Sequence, residues 1–356
     1  MPTHEPPSYF SLTRDEQQEL FEGAAYRTPW RTKMLEKDVW VVWTLDALFR
    51  QPNAPTYAFK GGTCLSKVYG AIHRFSEDVD ITLDPDHPTY VEGLDPIEPG
   101  VTKNQLKRRG DRARAKLPEY LAETLVPYLE QRAQQLPEHT RPTIALEGGD
   151  AGRVRVHYPS ALEPSFEPPY IAENVLLELG ARASTEPSQS AAVRTYLGEL
   201  PELQGQVILP TATVRAMSLV RTFWEKATLI HFENTRNDHA TPAERYARHW
   251  NDLNALSLVP NLVNQALADH ETLRLVLRVK HAHYSGKGVR YEDCGTGHLR
   301  LTTTGELRTH LEHDYGQMIA AGMFVQPPPT FETVAKRLEE LEAMINAHLA
   351  QARVTM

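Results

Sequence analysis

The sequence predicts an α+β protein: a small sheet with helices over residues 1–200, then a mostly helical part over 201–356. Three observations predict it. Strand-like runs (TYAF, DVDITL, TIALE, RVRVHY, NVLLELGAR) fall in the first part. The first two flank a Gly-Gly turn and a helical stretch, making a strand–turn–helix–strand unit. From Thr211 onward the pattern is helical.

The elements follow in order. Thr13 with Glu16 forms a capping box that opens a short helix through Phe21. A longer helix, rich in Trp and Val, is expected over 32–49. TYAF, from Thr56 to Phe59, alternates as a strand does. Gly61-Gly62 turns the chain, and Thr63 to Ile72 has helical spacing, with Leu65, Val68 and Ile72 on one side. DVDITL, from Asp78 to Leu83, puts Val79, Ile81 and Leu83 on one face and Asp78, Asp80 and Thr82 on the other. Residues 84–100 read as a loop. A helical region over 103–135 is interrupted near Pro118 and Pro127. Strand-like runs start at Thr143, Arg153 and Asn174. Residues 184–202 read as polar and irregular, Val207–Leu209 as a short strand, and the two parts join near 185–210. Helices are expected over 211–231, 242–256, 260–284 and 331–350. Thr241-Pro242-x-Glu244 carries an N-cap, a Pro at the first helical position and a Glu at the third. The last helix has Val334, Leu338, Leu341, Ile345 and Leu349 at helical spacing.

Composition bounds the class. The chain has 356 residues, 41% hydrophobic and 24% charged, as soluble globular proteins do. No apolar run is long enough to span a bilayer, and the N-terminus lacks the features of a signal peptide. Cys64 and Cys294 are the only cysteines, which excludes a disulfide framework and predicts a reducing, cytoplasmic setting. The net charge of −8 counts against indiscriminate nucleic-acid binding. Against that balance, KNQLKRRGDRARAK, from Lys103 to Lys116, holds seven cations and one anion. Such a stripe suits a phosphate backbone, or is simply a solvated helix face.

The chemistry concentrates in KGGTCLSKVYGAIHRFSEDVD, from Lys60 to Asp80. On a strand, residues i and i+2 point the same way, so Asp78 and Asp80 project two carboxylates from one face. Mg²⁺ takes oxygen ligands, commonly one or two carboxylates plus substrate phosphates. A Gly-Gly turn ahead of a helix offers bare N–H groups to an anion. Each feature alone is ordinary turn or surface. Together they point to a nucleoside triphosphate held between glycines and metal. The stretch is neither a Walker A loop nor a G-x-G-x-x-G fingerprint.

FKGGTCLSKVYGAIHRFSEDVDITL resembles the AbiEii/AbiGii toxin family of nucleotidyltransferases, within the DNA polymerase β-type superfamily. VLLELGARAS, RTFWEKATLIH, RYARHWNDL and LEHDYGQMIAAGMF resemble its later segments, so the likeness runs from about residue 30 to 346. It implies a polymerase β-like domain, a small mixed sheet with helices, followed by a mostly helical C-terminal domain that contributes Lys226 and Asp252 to the site. It implies metal binding by Asp78 and Asp80, with Mg²⁺ or Mn²⁺ as cofactor, and NTP phosphates at Gly61, Gly62 and Thr63. Lys67, one turn into the helix, reaches a phosphate or is solvated. Glu178, an acid in an apolar strand, is the candidate third carboxylate, or faces solvent. Lys226 falls on the apolar stripe of Leu219, Phe223 and Ile230, where it needs a partner or a job, or snorkels to the edge; the resemblance puts it at the triphosphate. Asp252 is a site aspartate, or merely pairs with Arg248. His281-x-His283 lacks further metal ligands.

Among MenT-like members the resemblance implies NMP transfer from an NTP to the 3′ end of tRNA, with Asp80 also helping to activate the acceptor hydroxyl. The basic segment 103–116 then becomes a tRNA contact. It also implies a co-encoded antitoxin, either a DNA-binding protein or a kinase. Two other readings stay open: transfer to a protein hydroxyl or small molecule, and an inactive protein that binds nucleotide or partner only.

Overall fold

The computed structural model describes residues 5–88, 90–91, 100–148, 152–163, 171–238, 242 and 244–355. These divide into two units. One is drawn from Met1–Val68, Phe75–Leu94 and Arg112–Ala216, the other from Tyr69–Arg74, Asp95–Asp111 and Met217–Met356. The longest continuous parts of the two units meet at 216/217.

The first unit is built on a sheet. Helix α1 (Arg14–Ala25) opens with the expected capping box, Thr13 with Glu16. Helix α2 (Thr32–Phe49) is buried along most of its length, as its apolar composition requires. Strand β1 (Tyr57–Lys60) runs into the seven-residue helix α3 (Gly61–Lys67), which ends before Ile72. Strand β2 (Val79–Leu83) follows. Helix α4 (Lys103–Tyr120) contains Pro118, and a π-type turn at Leu121–Leu125 separates it from α5 (Val126–Ala133), which has Pro127 in its first turn. This is the expected interruption: a proline removes one backbone donor, and the wider turn absorbs the misfit.

The remaining strands are β3 (Thr143–Leu146), β4 (Arg153–His157), β5 (Asn174–Gly180), β6 (Ser188–Arg194) and β7 (Thr211–Met217). The sheet order is β3-β4-β5-β2-β1-β7-β6. It is mixed: β2 runs antiparallel to β1 and parallel to β5, and β1 runs parallel to β7. Two strands correct the sequence reading. Residues 211–217 were expected to be helical, but Ala212, Val214 and Ala216 are buried while Thr211, Thr213 and Arg215 are exposed, a period of two. The helix starts only after Ser218, whose hydroxyl accepts from the Arg221 N–H at 3.2 Å. Strand β6 lies in the stretch read as irregular. It is the end strand of the sheet and buries only Val193, so it has almost no apolar signal. Ile208 forms only an isolated bridge to Ser8.

The second unit is helical: α6 (Leu219–Thr235), α7 (Arg248–Ser257), α8 (Leu262–Ala268), α9 (His270–Tyr284), α10 (Gly305–Ala320) and α11 (Phe331–Ala352). The stretch read as one helix over 260–284 is two, because Asp269 caps α9 by accepting from the Thr272 N–H at 2.9 Å. Thr241, the expected cap, lies outside the described residues; Pro242 and Glu244 stand ahead of α7, which begins at Arg248 rather than at 242. Helix α10 was not anticipated. Val334, Leu338, Leu341, Ile345 and Leu349 form the buried stripe of α11 as expected. Among the described residues no helix is long and apolar enough to cross a membrane.

On α4, Leu106, Gly110, Ala113 and Leu117 are buried, and Lys103, Lys107, Arg108, Arg112 and Lys116 are exposed. The basic segment is therefore the polar face of an amphipathic helix.

Candidate active site

In the sheet unit, β2 begins at Val79, so Asp78 lies just ahead of the strand and Asp80 within it. Strand alternation places Asp80; a side chain places Asp78. The Thr63 hydroxyl donates to the Asp78 carbonyl at 2.5 Å and lies 3.0 Å from the Ser76 hydroxyl. Thr63 is fully buried and positions the chain that carries Asp78.

Gly61 and Asp80 meet directly. Gly61 has φ +74°, and a Cβ built on it would stand 1.9 Å from Asp80 Oδ2. The Asp80 carboxylate therefore rests against the bare Cα of Gly61. Only glycine meets both demands, the left-handed backbone and the close approach. The Gly-Gly turn and the aspartate form one piece of geometry.

Lys60, Asp80, Glu178 and Arg153 occupy paired positions across β1, β2, β5 and β4. Paired residues share a face, so Glu178 is where a third carboxylate would stand. Its side chain is 30% exposed and pairs with Arg153 at 2.7 Å. Among the described residues no group of three His, Cys, Asp or Glu side chains converges as a metal cage. Asp78 and Asp80 are oxygen donors of the kind that suits Mg²⁺ when substrate phosphates complete its shell.

Lys67 is buried in an ion pair. It neither reaches out to solvent nor presents a free ammonium. Its Nζ lies 2.7 Å from Asp38, both side chains are almost fully buried, and it sits 3.6 Å from the Tyr196 ring centroid. Gly62 is buried in the first turn of α3.

In the helical unit, Asp252 is fully buried on α7. Arg74 grips it with two nitrogens, Nε to Oδ1 at 2.7 Å and Nη2 to Oδ2 at 2.9 Å. Lys226 Nζ donates to Asp252 Oδ2 at 2.7 Å and lies 3.2 Å from His249 Nδ1. Burial alone would raise the Asp252 carboxyl, but Arg74 and Lys226 outweigh it and hold it well below the usual carboxylate range. Burial lowers the Lys226 ammonium against the pull of Asp252. Burial, then the Lys226 and Arg248 cations, lower His249 well below the usual imidazole value, so Nδ1 is an acceptor for Lys226. Asp252 thus pairs with Arg74 and Lys226, not with its helical neighbour alone. The apolar-stripe argument located Lys226 correctly on the buried side: Phe223 and Ile230 are buried beside it in sequence spacing. His281 pairs with Glu292 at 3.2 Å, while the His283 ring fills the space where a Gly110 side chain would stand.

The family model for the nucleotidyl transferase AbiEii toxin of type IV toxin–antitoxin systems matches residues 43–337. The chain belongs to the AbiEii family. Among solved structures it is similar to MenT4, a nucleotidyltransferase toxin from Mycobacterium tuberculosis H37Rv, at 18% identity and a TM-score of 0.41, over 96% of this chain and 99% of that one. No curated protein matches.

In this AbiEii chain the residue missed by sequence reasoning is Arg74. It lies inside the quoted motif, between Ile72 and Phe75, and is 3% exposed. Local spacing gives no signal for it: Glu77 and Asp78 stand three and four residues on, where a spacing rule would seek its partner, and the one it takes is Asp252. Asp314 was also missed. Its carboxylate accepts from the Arg245 N–H at 2.7 Å and the Ala247 N–H at 2.6 Å, which fixes the approach to α7 and so to His249 and Asp252.

Three outcomes are expected. Gly61→Ala forces Asp80 aside and lowers turnover by about a hundredfold, as a misplacement of about 1 Å does, while circular dichroism shows the fold retained. Lys67→Met leaves Asp38 buried and unpaired, so urea unfolding shows a loss of about 3–5 kcal/mol; unchanged stability with weakened nucleotide binding would return Lys67 to the phosphates. The Asp252 carboxyl is depressed in the folded chain, so its contribution to stability is complete above the ordinary carboxylate pKa of about 3.9 and drains away as pH falls below it. Asp252→Asn should therefore be less stable at neutral pH and show a shallower loss between about pH 4 and 2 in thermal melts.

Proposed function

We propose that this AbiEii chain transfers a nucleoside monophosphate from an NTP to the 3′ end of tRNA, releasing pyrophosphate. The observation that carries the reading is the Asp80 carboxylate bedded on Gly61. It ties the carboxylate pair and the phosphate-type turn into one constellation, which chance surface residues would not do.

Asp78 and Asp80 would hold Mg²⁺ or Mn²⁺. A metal held by these two carboxylates would supply charge neutralisation to the phosphates. Gly61 and Gly62 place no side chain of their own between their backbone N–H groups and a phosphate. Asp80 accepts the proton of the attacking hydroxyl or orients it. The family resemblance assigns Lys226 to the triphosphate, and in the helical unit its ammonium is held by Asp252 and His249. Thr63 holds the Asp78 backbone still. The exposed cationic face of α4 supports an RNA acceptor, and the type IV family implies an antitoxin partner.

Incubation with tRNA, Mg²⁺ and each labelled NTP in turn tests the reading. Label should enter tRNA with the wild-type protein, and Asp80→Asn should lower incorporation at least about a hundredfold, the loss of several kcal/mol of charge stabilisation. Neutralising Lys107, Arg108 and Arg112 should flatten the salt dependence of tRNA binding by about one unit of slope per cation. Label entering protein instead of tRNA would overturn the acceptor and keep the transfer reaction.

A further inference from the structure

The helical unit contains a cleft of about 450 Å³, within the usual size of small-ligand sites. One wall is the Tyr69–Arg74 segment, held to the segment after α10 by the Val325 N–H donating to the His73 carbonyl at 3.1 Å. Another is the end of α7. None of its lining residues is among Asp78, Asp80 and the glycine pair.

Three features define what the cleft would accept. The first is Asn254. It is 3% exposed, lines the cleft, and its Oδ1 is buried with no hydrogen-bond partner. Buried polar atoms almost always have partners, so an orphaned carboxamide at a cleft marks a group awaiting one. A carboxamide offers an acceptor beside a donor, the pattern that a nucleobase edge complements whichever way the amide is turned. The second is flat apolar surface. Tyr69, Phe324 and the run Pro327–Pro329 line the cleft. Both rings are held in place: the Tyr69 hydroxyl donates to the Met217 carbonyl at 2.9 Å, and Phe324 lies 5.6 Å from Tyr315. Fixed aromatic faces are platforms for stacking a base. The third is charge. Arg337 lines the cleft and, among the described residues, no Asp or Glu does, on a chain whose net charge is −8. A guanidinium without a competing carboxylate suits a phosphate.

We infer that this cleft binds a nucleotide unit, its base edge on the Asn254 carboxamide, its ring against Tyr69 or Phe324, and its phosphate on Arg337. The unit is either a free mononucleotide or the terminal residue of an RNA strand. The inference goes beyond the transfer reaction and does not depend on it.

Calorimetric titration of the full chain in EDTA tests it, with AMP, adenosine, ribose 5-phosphate and the trinucleotide CCA as probes. AMP should bind. Asn254→Leu should weaken AMP at least tenfold without lowering the melting temperature, because the side chain it replaces makes no hydrogen bond to lose. Arg337→Gln should bring AMP down to the affinity of adenosine. Gly61→Ala should leave AMP binding unchanged, which separates this cleft from the Asp80 constellation. CCA binding at least tenfold tighter than AMP, with the same sensitivity to Asn254→Leu and Arg337→Gln, identifies an RNA end; AMP binding as tightly as CCA identifies a free nucleotide. The inference fails if AMP and CCA do not bind, if their binding is lost in Gly61→Ala alone, or if Arg337→Gln and Asn254→Leu bind AMP as the wild type does. A lower melting temperature in Asn254→Leu with AMP affinity intact would make Asn254 structural and end it as well.

Discussion

Three consecutive charges buried in α2 hold the sheet unit in register around its site. Glu36, Lys37 and Asp38 are each about 97% or more buried. Glu36 accepts from the Ser160 hydroxyl at 2.8 Å and the Ala161 N–H at 2.6 Å. Lys37 lies 2.7 Å from Glu77 and donates to the Ala172 carbonyl at 3.0 Å. Asp38 takes Lys67 and the Tyr196 N–H, each within 2.7 Å. Burial pushes the Glu36 and Asp38 carboxyls up, and these partners pull against it. Removing an ion from water costs several kcal/mol, so each charge is tolerable only with its partner in place. Each therefore enforces one long-range contact. Glu77 directly precedes Asp78, and Lys67 closes α3, whose first residue is Gly61. The helix thus anchors both ends of the segment that carries the glycines and the aspartates.

The helical unit uses the same physics with a different balance. Asp252 has two strong cationic partners, and they overcome its burial; Asp38 has one, and burial prevails. The comparison shows why a second cation matters. Arg74 holds Asp252 through two bonds, and Asp252 in turn fixes the Lys226 ammonium in place.

Thr63 spends its hydroxyl on the Asp78 carbonyl, Lys67 pairs its ammonium with Asp38, and Glu178, at the position paired with Asp80, meets Arg153 while staying 30% exposed. The segment that carries the glycine turn and the aspartates is thus held by well-paired neighbours. Rigid support of a few groups is what a reaction governed by positioning and charge requires.

Local spacing in the sequence was enough for the Gly-Gly turn, the place of Asp80 in its strand, the capping box at Thr13 and the α11 stripe, because each is set by residues within one or two turns of one another; Asp78, read into the same strand, lies just ahead of it. It was enough to put Lys226 on a buried face, and for the likeness that named the family. It failed at β6, which buries only Val193, and at β7, whose period of two was overlooked beside the helical pattern that follows it. It also failed wherever a charge chose its partner. Arg74 and Asp252 are 178 residues apart, and no spacing rule connects them. Residue type determined that charges would need partners when buried; only the tertiary structure decided which ones, because burial and approach are properties of the folded chain and the energies that select them do not exist until water is excluded.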